Sequence, residues 1–440
     1  MSEIITPGDS YYSQARLVWN RAINKYPEKI IYCTSIEDVQ KAVVYSVEKR
    51  LKIRIRGGGH HYEGFSIGNG VVVIDVSNLN RIKIDYEKNT FTVQNGIELG
   101  QLYTFLGGKG YPFPGGACPT VCISGLALGG GWGYSSRKYG LTCDSLLELT
   151  LVNYKGELIT ANRFTNSYLF WACKGGGGGN FGVVVSMTFK LPSKVNNVTE
   201  FEFNIENPSK STQIEFLDIW QSFITSTVPE INMRGSIYKS TESGLNINCR
   251  GLFYGNPDEL DELLESFKKL KGFNLTYNYV TFLQAMLYIG SSYSQYQYFE
   301  NYGRFVNRFY DYCTLESLVD IVNQPMPEGS ELISLNLYGL GGKVSEVDKF
   351  DTAFYYRDSF YIVHIDTVFK NNCYKEINKA WIKSNINTIY CITEGSYINF
   401  PYYPLENYMN EYYGKNKCRL AEVKQMYDPY NIFKFKQSIK

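Results

Sequence analysis

The chain has 440 residues, long enough for about two or three domains with sizeable cores. Hydrophobic residues make up 44% and charged residues 20%, ordinary values for a globular protein. Lys+Arg (44) nearly cancels Asp+Glu (43), so no basic surplus points to nucleic acid, and no apolar run approaches the ~18 residues of a membrane span.

In chain order, Met1 to Pro7 lack a basic segment followed by an apolar stretch, so no signal peptide is expected. Ser35 followed by Ile36-Glu37-Asp38 reads as a helix start, and Val39, Ala42, Val43, Ser46 and Val47 continue it at helical spacing. Leu51, Ile53 and Ile55 alternate with Lys52, Arg54 and Arg56, a strand that runs into Gly57-Gly58-Gly59-His60-His61-Tyr62-Glu63-Gly64. Short strands are expected at 71–74 and 91–93, and a helix over 97–105 ended by Gly107-Gly108. A second glycine-rich loop carries a cysteine, Gly115-Gly116-Ala117-Cys118-Pro119-Thr120-Val121-Cys122, and a further run extends from Gly125 through Gly129, Gly130 and Gly131 to Gly133. After a strand at 149–152, a third cluster spans Gly175 to Gly179 and continues through Gly182, Val183 and Val184.

Pro192-Ser193-Lys194 reads as a hinge. Strands are expected to dominate about 195–395, as in the alternation of Leu245, Ile247 and Cys249 with Asn246 and Asn248, with helices at 256–270 and 314–323. The tail returns to helical spacing at Leu420, Val423 and Met426 and breaks at Asp428-Pro429. The ten cysteines stand singly, which suggests a reducing, cytoplasmic setting with most thiols buried. With only His60, His61 and His364 present, no metal site is expected. Nothing in the pattern speaks to oligomeric state.

Glycine runs cost backbone entropy and persist where backbone must approach a ligand or adopt positive φ. Three in one region suit an extended ligand bonded by backbone N–H groups. The run at Gly129 lacks the strand-to-helix context of a dinucleotide fingerprint.

The chain resembles the berberine-bridge-enzyme-like FAD-linked oxidases, of the vanillyl-alcohol-oxidase type. Four blocks carry the resemblance: Arg56 to Gly64; Gly116 to Leu141; Phe170-Trp171 to Val184; and the tail, with Tyr397-Ile398-Asn399, Tyr412-Tyr413-Gly414 and Tyr427-Asp428-Pro429 to Ile439. The resemblance implies an α+β fold. Its FAD-binding domain would be built from 1–193 and 395–440, and its substrate domain, an antiparallel sheet backed by helices, from 194–394. It implies an FAD bonded through its 8α-methyl to His60 and through C6 to Cys118. Arg56, Gly57, Gly58, Gly59, Gly64, Gly116, Val121, Cys122, Gly125, Gly130, Gly131, Gly182, Val184 and Asn399 would complete the cofactor site.

Tyr397 matches the family's active-site Tyr-x-Asn and is the first choice of base, and Tyr62 matches a tyrosine lining the same cavity. His364 stands where the family places Gln, on a strand that faces the flavin, and Tyr338 is expected to face substrate. Cys122 and Leu126 depart from the usual Gly and His or Tyr, Cys143 stands near a common Ala, and Tyr356 replaces the usual His before Arg357. The reaction implied is oxidation of an alcohol or a C–H/C–N centre of a small organic molecule, of sugar or natural-product type. Hydride passes to flavin N5, and O2 is the acceptor, giving H2O2. Val121 matches a position that gates oxygen in the family. The rival readings are a dehydrogenase with another acceptor and a small-molecule binding protein that keeps the fold without turnover.

Overall fold

The computed structural model describes residues 3–440. Strands β1 (Glu3–Ile5), β2 (Lys29–Tyr32), β3 (Ile53–Arg56) and β4 (Val72–Asp75) form a sheet in the order β1-β2-β4-β3. β2, β4 and β3 run parallel, so the chain must cross over between them, and the helix Ile36–Glu48 makes the β2-to-β3 crossover. Ser35 caps that helix by accepting from Asp38 N at 3.2 Å, as the sequence predicts. Val39, Ala42 and Val43 bury its inner face against Ile53, Val72 and Ile74. β3 delivers the chain directly to Gly57.

Strands β5 (Ile82–Asp85), β6 (Thr90–Gln94), β7 (Leu146–Val152), β8 (Leu158–Asn162) and β9 (Val183–Lys190) form a second, antiparallel sheet in the order β5-β6-β9-β7-β8. Between β6 and β7 run the helices Leu99–Gly107 and Ile123–Leu128, which hold the cysteine loop between them.

Strands β10 (Val198–Glu206), β11 (Ile231–Ser240), β12 (Gly244–Phe253), β13 (Asn274–Val280), β14 (Tyr298–Val306), β15 (Ser330–Gly339), β16 (Tyr361–Phe369) and β17 (Glu394–Ser396) make the third sheet, ordered β13-β10-β12-β11-β15-β16-β14-β17. Every pairing in it is antiparallel. Its two faces differ in chemistry. Odd-numbered Phe201, Phe203, Met233, Ile237, Ile247, Leu335, Val363 and Ile365 share one core with Phe216, Trp220, Leu318, Val319 and Trp381 of the helices Lys210–Ser226, Tyr312–Asn323 and Lys375–Tyr390. Trp220 is fully buried there, and truncation to Ala costs about 3–5 kcal/mol at such a site. Even-numbered Arg234, Ser236, Ser334, Asn336, Tyr338, His364 and Asp366 share the opposite face by the register Arg234↔Tyr338, Ser236↔Asn336, Asn336↔His364 and Ser334↔Asp366.

The α+β architecture, with an antiparallel sheet backed by helices, is as expected, but several elements differ. The middle of the chain holds three helices that the sequence reading misses: Lys210–Ser226, Phe282–Ser291 and Lys375–Tyr390. Their Ile, Phe, Trp and Tyr content favours strands, and burial of one helical face overrides that preference. The helix expected over 256–270 breaks at Leu264 into Pro257–Leu263 and Glu265–Lys268. The expected burial of most cysteines is corrected too: Cys33, Cys122, Cys143, Cys173 and Cys249 are buried, Cys118 is intermediate, and Cys313, Cys373, Cys391 and Cys418 are exposed.

Candidate active site

A cavity of ≈ 490 Å³ runs between the glycine loops and the polar face of the third sheet. Gly57, Gly58 and Gly59 leave β3 along its wall, and Gly59 has φ +70°, a conformation that favours glycine. Gly116, Ala117 and Cys118 of the second loop line it, and Gly177, Gly178, Gly179 and Gly182 of the third do as well.

His60 and Cys118 converge on one hydroxyl. Thr120 Oγ1 lies 2.8 Å from His60 Nε2 and 3.5 Å from Cys118 Sγ. Trp19 stacks on the His60 ring at a centroid distance of 5.4 Å. Burial lowers the imidazole pKa to about 4, so His60 is neutral near neutral pH and one ring nitrogen keeps a free lone pair. Burial raises the Cys118 thiol above its ordinary value, against hydrogen bonds with Thr120 and Val121 that act the other way. His61 also lines the cavity, but its Nδ1 accepts from Glu63 N at 3.2 Å and its ring packs on Phe65.

Tyr397 arrives from the segment after β17. Its Oη accepts N–H donors from Gly131 and Trp132, each at 3.1 Å, and from Asn399 Nδ2, also at 3.1 Å. A neutral phenol has two lone pairs for three donors, whereas a phenolate accepts all three. Its pKa is raised to about 12 because burial outweighs the three hydrogen bonds, which act to lower it. Asn399 is pinned by its second N–H, which donates to Leu126 O at 3.0 Å.

Tyr62, Tyr338 and His364 stand on the same cavity wall. Tyr62 packs between Phe299 and Phe400, at 4.7 and 5.9 Å between centroids. His364 Nε2 lies 3.2 Å from Asn301 Oδ1, and its Nδ1 is 3.3 Å from the Asp366 carboxylate but not aligned for a hydrogen bond.

Among the residues expected to bind cofactor, Gly57, Gly58, Gly59, His60, Gly116, Cys118, Val121, Cys122, Gly125, Gly182, Val184 and Asn399 line this one cavity. Arg56, Gly64, Gly130 and Gly131 stand off its lining. The Arg56 guanidinium is used within the protein, paired with Asp75 and bonded to Ala15 O at 2.7 Å and Tyr32 Oη at 3.1 Å. Gly64 packs against Ile23, where a Cβ would come within 2.5 Å of a methyl group. A Cβ on Gly130 would meet Phe354, and Gly131 acts through its N–H on Tyr397. Trp19, Ser66, Asn95, Arg234, Tyr293 and Asp366 also line the cavity, and the sequence reading passes over them. The signal for Arg234 and Asp366 was the period-two run of polar residues on β11, β15 and β16.

Two further features show that the cavity is built for a ligand. Ser66 Oγ and Asn95 Oδ1 are buried on its wall without a hydrogen-bond partner, which is costly unless something supplies one. A Cβ on Gly125 would have no atom within 4 Å and would stand in the cavity.

The profile of a family described as "FAD binding domain" matches residues 27–162, and one described as "Berberine and berberine like" matches 396–440. The chain is 33% identical over 445 residues to the Uncharacterized FAD-linked oxidoreductase YgaK of Bacillus subtilis (strain 168), covering 99% of this chain and 96% of that one. Among solved structures it is similar to Physcomitrella patens BBE-like 1, with a TM-score of 0.91 and 27% identity over 100% of this chain and 97% of that one. It is also similar to a chitooligosaccharide oxidase, with a TM-score of 0.90 and 25% identity over 100% and 97% of the two chains.

Proposed function

The chain belongs to the berberine-bridge-enzyme-like FAD-linked oxidases, and from that premise we propose that it holds its FAD by two covalent bonds, at His60 and Cys118, and oxidises a small organic substrate with O2 as acceptor. The observation that carries this reading is that His60 and Cys118, from separate loops, line one cavity and share the Thr120 hydroxyl as a neighbour. The residues fit the cofactor: the Gly125 position leaves open volume, and Ser66 and Asn95 offer unpartnered polar atoms.

FAD, when bound, supplies a two-electron acceptor for hydride and returns the electrons to oxygen. The rest is done by the chain. His60 and Cys118 would hold the cofactor from two loops, with the third-sheet wall of the cavity left for a bulky substrate. Tyr397 takes the proton of the substrate hydroxyl at its Oη, where the N–H groups of Gly131, Trp132 and Asn399 stabilise the charge it needs. Tyr62 and Tyr338 orient the substrate from the facing wall, with His364 behind them. Val121, on the cysteine-loop side of the cavity, leaves oxygen a path that a larger side chain would close.

The same reading assigns 1–193 and 395–440 to the FAD-binding domain and 194–394 to the substrate domain, although β17 straddles the second boundary. The free cysteines, four of them exposed, support a reducing, cytoplasmic setting. Among the described residues no helix is long and apolar enough to cross a membrane, and no cluster of metal-ligating side chains occurs.

The test is anaerobic titration with a panel of sugars, phenolic alcohols and amines, followed by admission of air. Bleaching of the yellow chromophore by a panel member and its return with H2O2 support the reading. Bleaching that returns only with an added dye acceptor favours a dehydrogenase.

A further inference from the structure

The fully buried arginines of this protein, Arg56, Arg137, Arg304 and Arg357, are each paired with a carboxylate or held by backbone carbonyls. Arg56 pairs with Asp75, Arg304 with Glu411 and Arg357 with Asp144. Arg137 has no carboxylate, but its Nε, Nη1 and Nη2 donate to the carbonyls of Ile231, Ile224, Leu340, Thr227 and Val228. Arg250, at the same level of the sheet, pairs with Glu200 and Glu202.

Arg234 differs. It projects from β11 onto the cavity wall, and among the described residues no carboxylate lies within salt-bridge distance of it. Its Nη2 and Nε donate to Asn336 Oδ1 at 2.7 and 3.3 Å, and Nη2 also reaches Ser236 Oγ at 3.4 Å. Both partners are neutral, and Nη1 has no acceptor among the described residues. Asp366, on the same face of the sheet and also on the cavity wall, is occupied: it accepts from Ser334 Oγ at 2.6 Å and from Asn336 Nδ2 at 2.9 Å. Asn336 therefore stands between the two charges and fixes one edge of the guanidinium, leaving the other edge to the cavity. Tyr338 and Tyr293 line the same wall, and neither hydroxyl is hydrogen-bonded to another described residue. The Arg234 Cζ lies 5.6 Å from the centre of the Tyr338 ring.

Arg234 is half-buried with no anion beside it, and a planar fork with one edge free matches a carboxylate. The surrounding unpartnered groups are hydroxyl donors, which suit an acceptor-rich ligand. We propose that Arg234, with Tyr338 and Tyr293, is a recognition site for a carboxylate carried by the substrate. It would anchor the acidic end of a sugar acid or other organic acid while the oxidised carbon lies toward Tyr397. This rests on the reading of the cavity's third-sheet wall as the substrate side.

The experiment is calorimetric binding to the whole protein, with matched probes that differ in charge: D-glucuronate against D-glucose, D-gluconate against D-sorbitol, and 4-hydroxybenzoate against 4-hydroxybenzamide, with glucose 6-phosphate as the phosphate control. In at least one pair the carboxylate binds about 10–100-fold more tightly, as a charge-assisted hydrogen-bonded pair supplies. Arg234→Gln abolishes that preference and leaves the neutral probe's affinity unchanged, and Arg234→Lys, which keeps the charge without the fork, retains part of it. The proposal is overturned if no pair shows a preference, if the preference survives Arg234→Gln, or if the phosphate binds more tightly than every carboxylate. Flavin content is read separately from absorbance, so loss of the flavin reading and loss of the carboxylate site are told apart.

Discussion

Asn399 donates to the Tyr397 hydroxyl at 3.1 Å, and the same oxygen takes the backbone N–H groups of Gly131 and Trp132. Three donors on one phenol oxygen favour its ionised form, but burial outweighs them and leaves the pKa raised to about 12. Tyr397→Phe removes that oxygen and keeps the ring that packs on Phe305 and Phe400. Flavin reduction by substrate should slow by roughly 10²–10⁴-fold in rapid mixing, while the fold is retained at a melting temperature lowered by the donors left without an acceptor. Asn399→Ala should show a smaller loss of the same kind. Reduction at the wild-type rate in Tyr397→Phe would remove it from the role of base.

Gly125 lies in the helix Ile123–Leu128, and its φ is not positive. Leucine there is favoured over glycine by helix propensity, by roughly 0.5–1 kcal/mol. Its side chain would enter the cavity, because nothing stands within 4 Å of a Cβ at this position. Gly125→Leu should therefore fold at least as stably as the flavin-free wild type while carrying little or no flavin. Full flavin content in this variant would show that the cofactor lies elsewhere.

The FAD-binding half was legible in the sequence because its signals are local. A Ser cap, an alternating strand and glycine loops each report their own backbone geometry, and the His60 and Cys118 loops announced themselves in this way. The polar wall formed by Arg234, Asn336 and Asp366 was not legible, since it exists only once β11, β15 and β16 are in register. Thr120 was hidden for a related reason. Its hydroxyl gains meaning when two loops some sixty residues apart meet. The helices Lys210–Ser226 and Phe282–Ser291 did carry caps, at Ser209 and Thr281, but their aromatic content masked them.

His61 provides a pH test. Burial, reinforced by Lys25, holds its imidazole at about 3, below the ordinary 6.5. The folded state thus disfavours the proton. Its contribution to stability is complete above pH 6.5 and is lost as pH falls from there toward about 3, by about 1.4 kcal/mol per unit at most. Glu300 acts in the opposite sense: its carboxyl, raised to about 8 by burial and by Glu63, contributes fully below pH 4.5, and that contribution is lost as pH rises through about 8. The difference between proteins isolates the histidine. Between pH 6.5 and 5, the wild-type melting temperature should fall more steeply than that of His61→Gln. Equal slopes would contradict the assignment.

Val121 lines the cavity beside Cys122, and a single added methylene fills a small packed gap. In Val121→Leu, reoxidation of the reduced flavin by air-saturated buffer should slow while its reduction by substrate is unaffected. Equal reoxidation in the two proteins would reject Val121 as the oxygen gate.

The most direct test of the account is acid denaturation and proteolysis of the purified protein, followed by mass analysis of every flavin-containing peptide. One species is expected, in which a single FAD joins the His60 peptide to the Cys118 peptide. One link should remain in His60→Ala or Cys118→Ala and none in the double variant. Flavin released wholly into the supernatant from wild-type protein, or attached to a residue other than these two, would contradict the account.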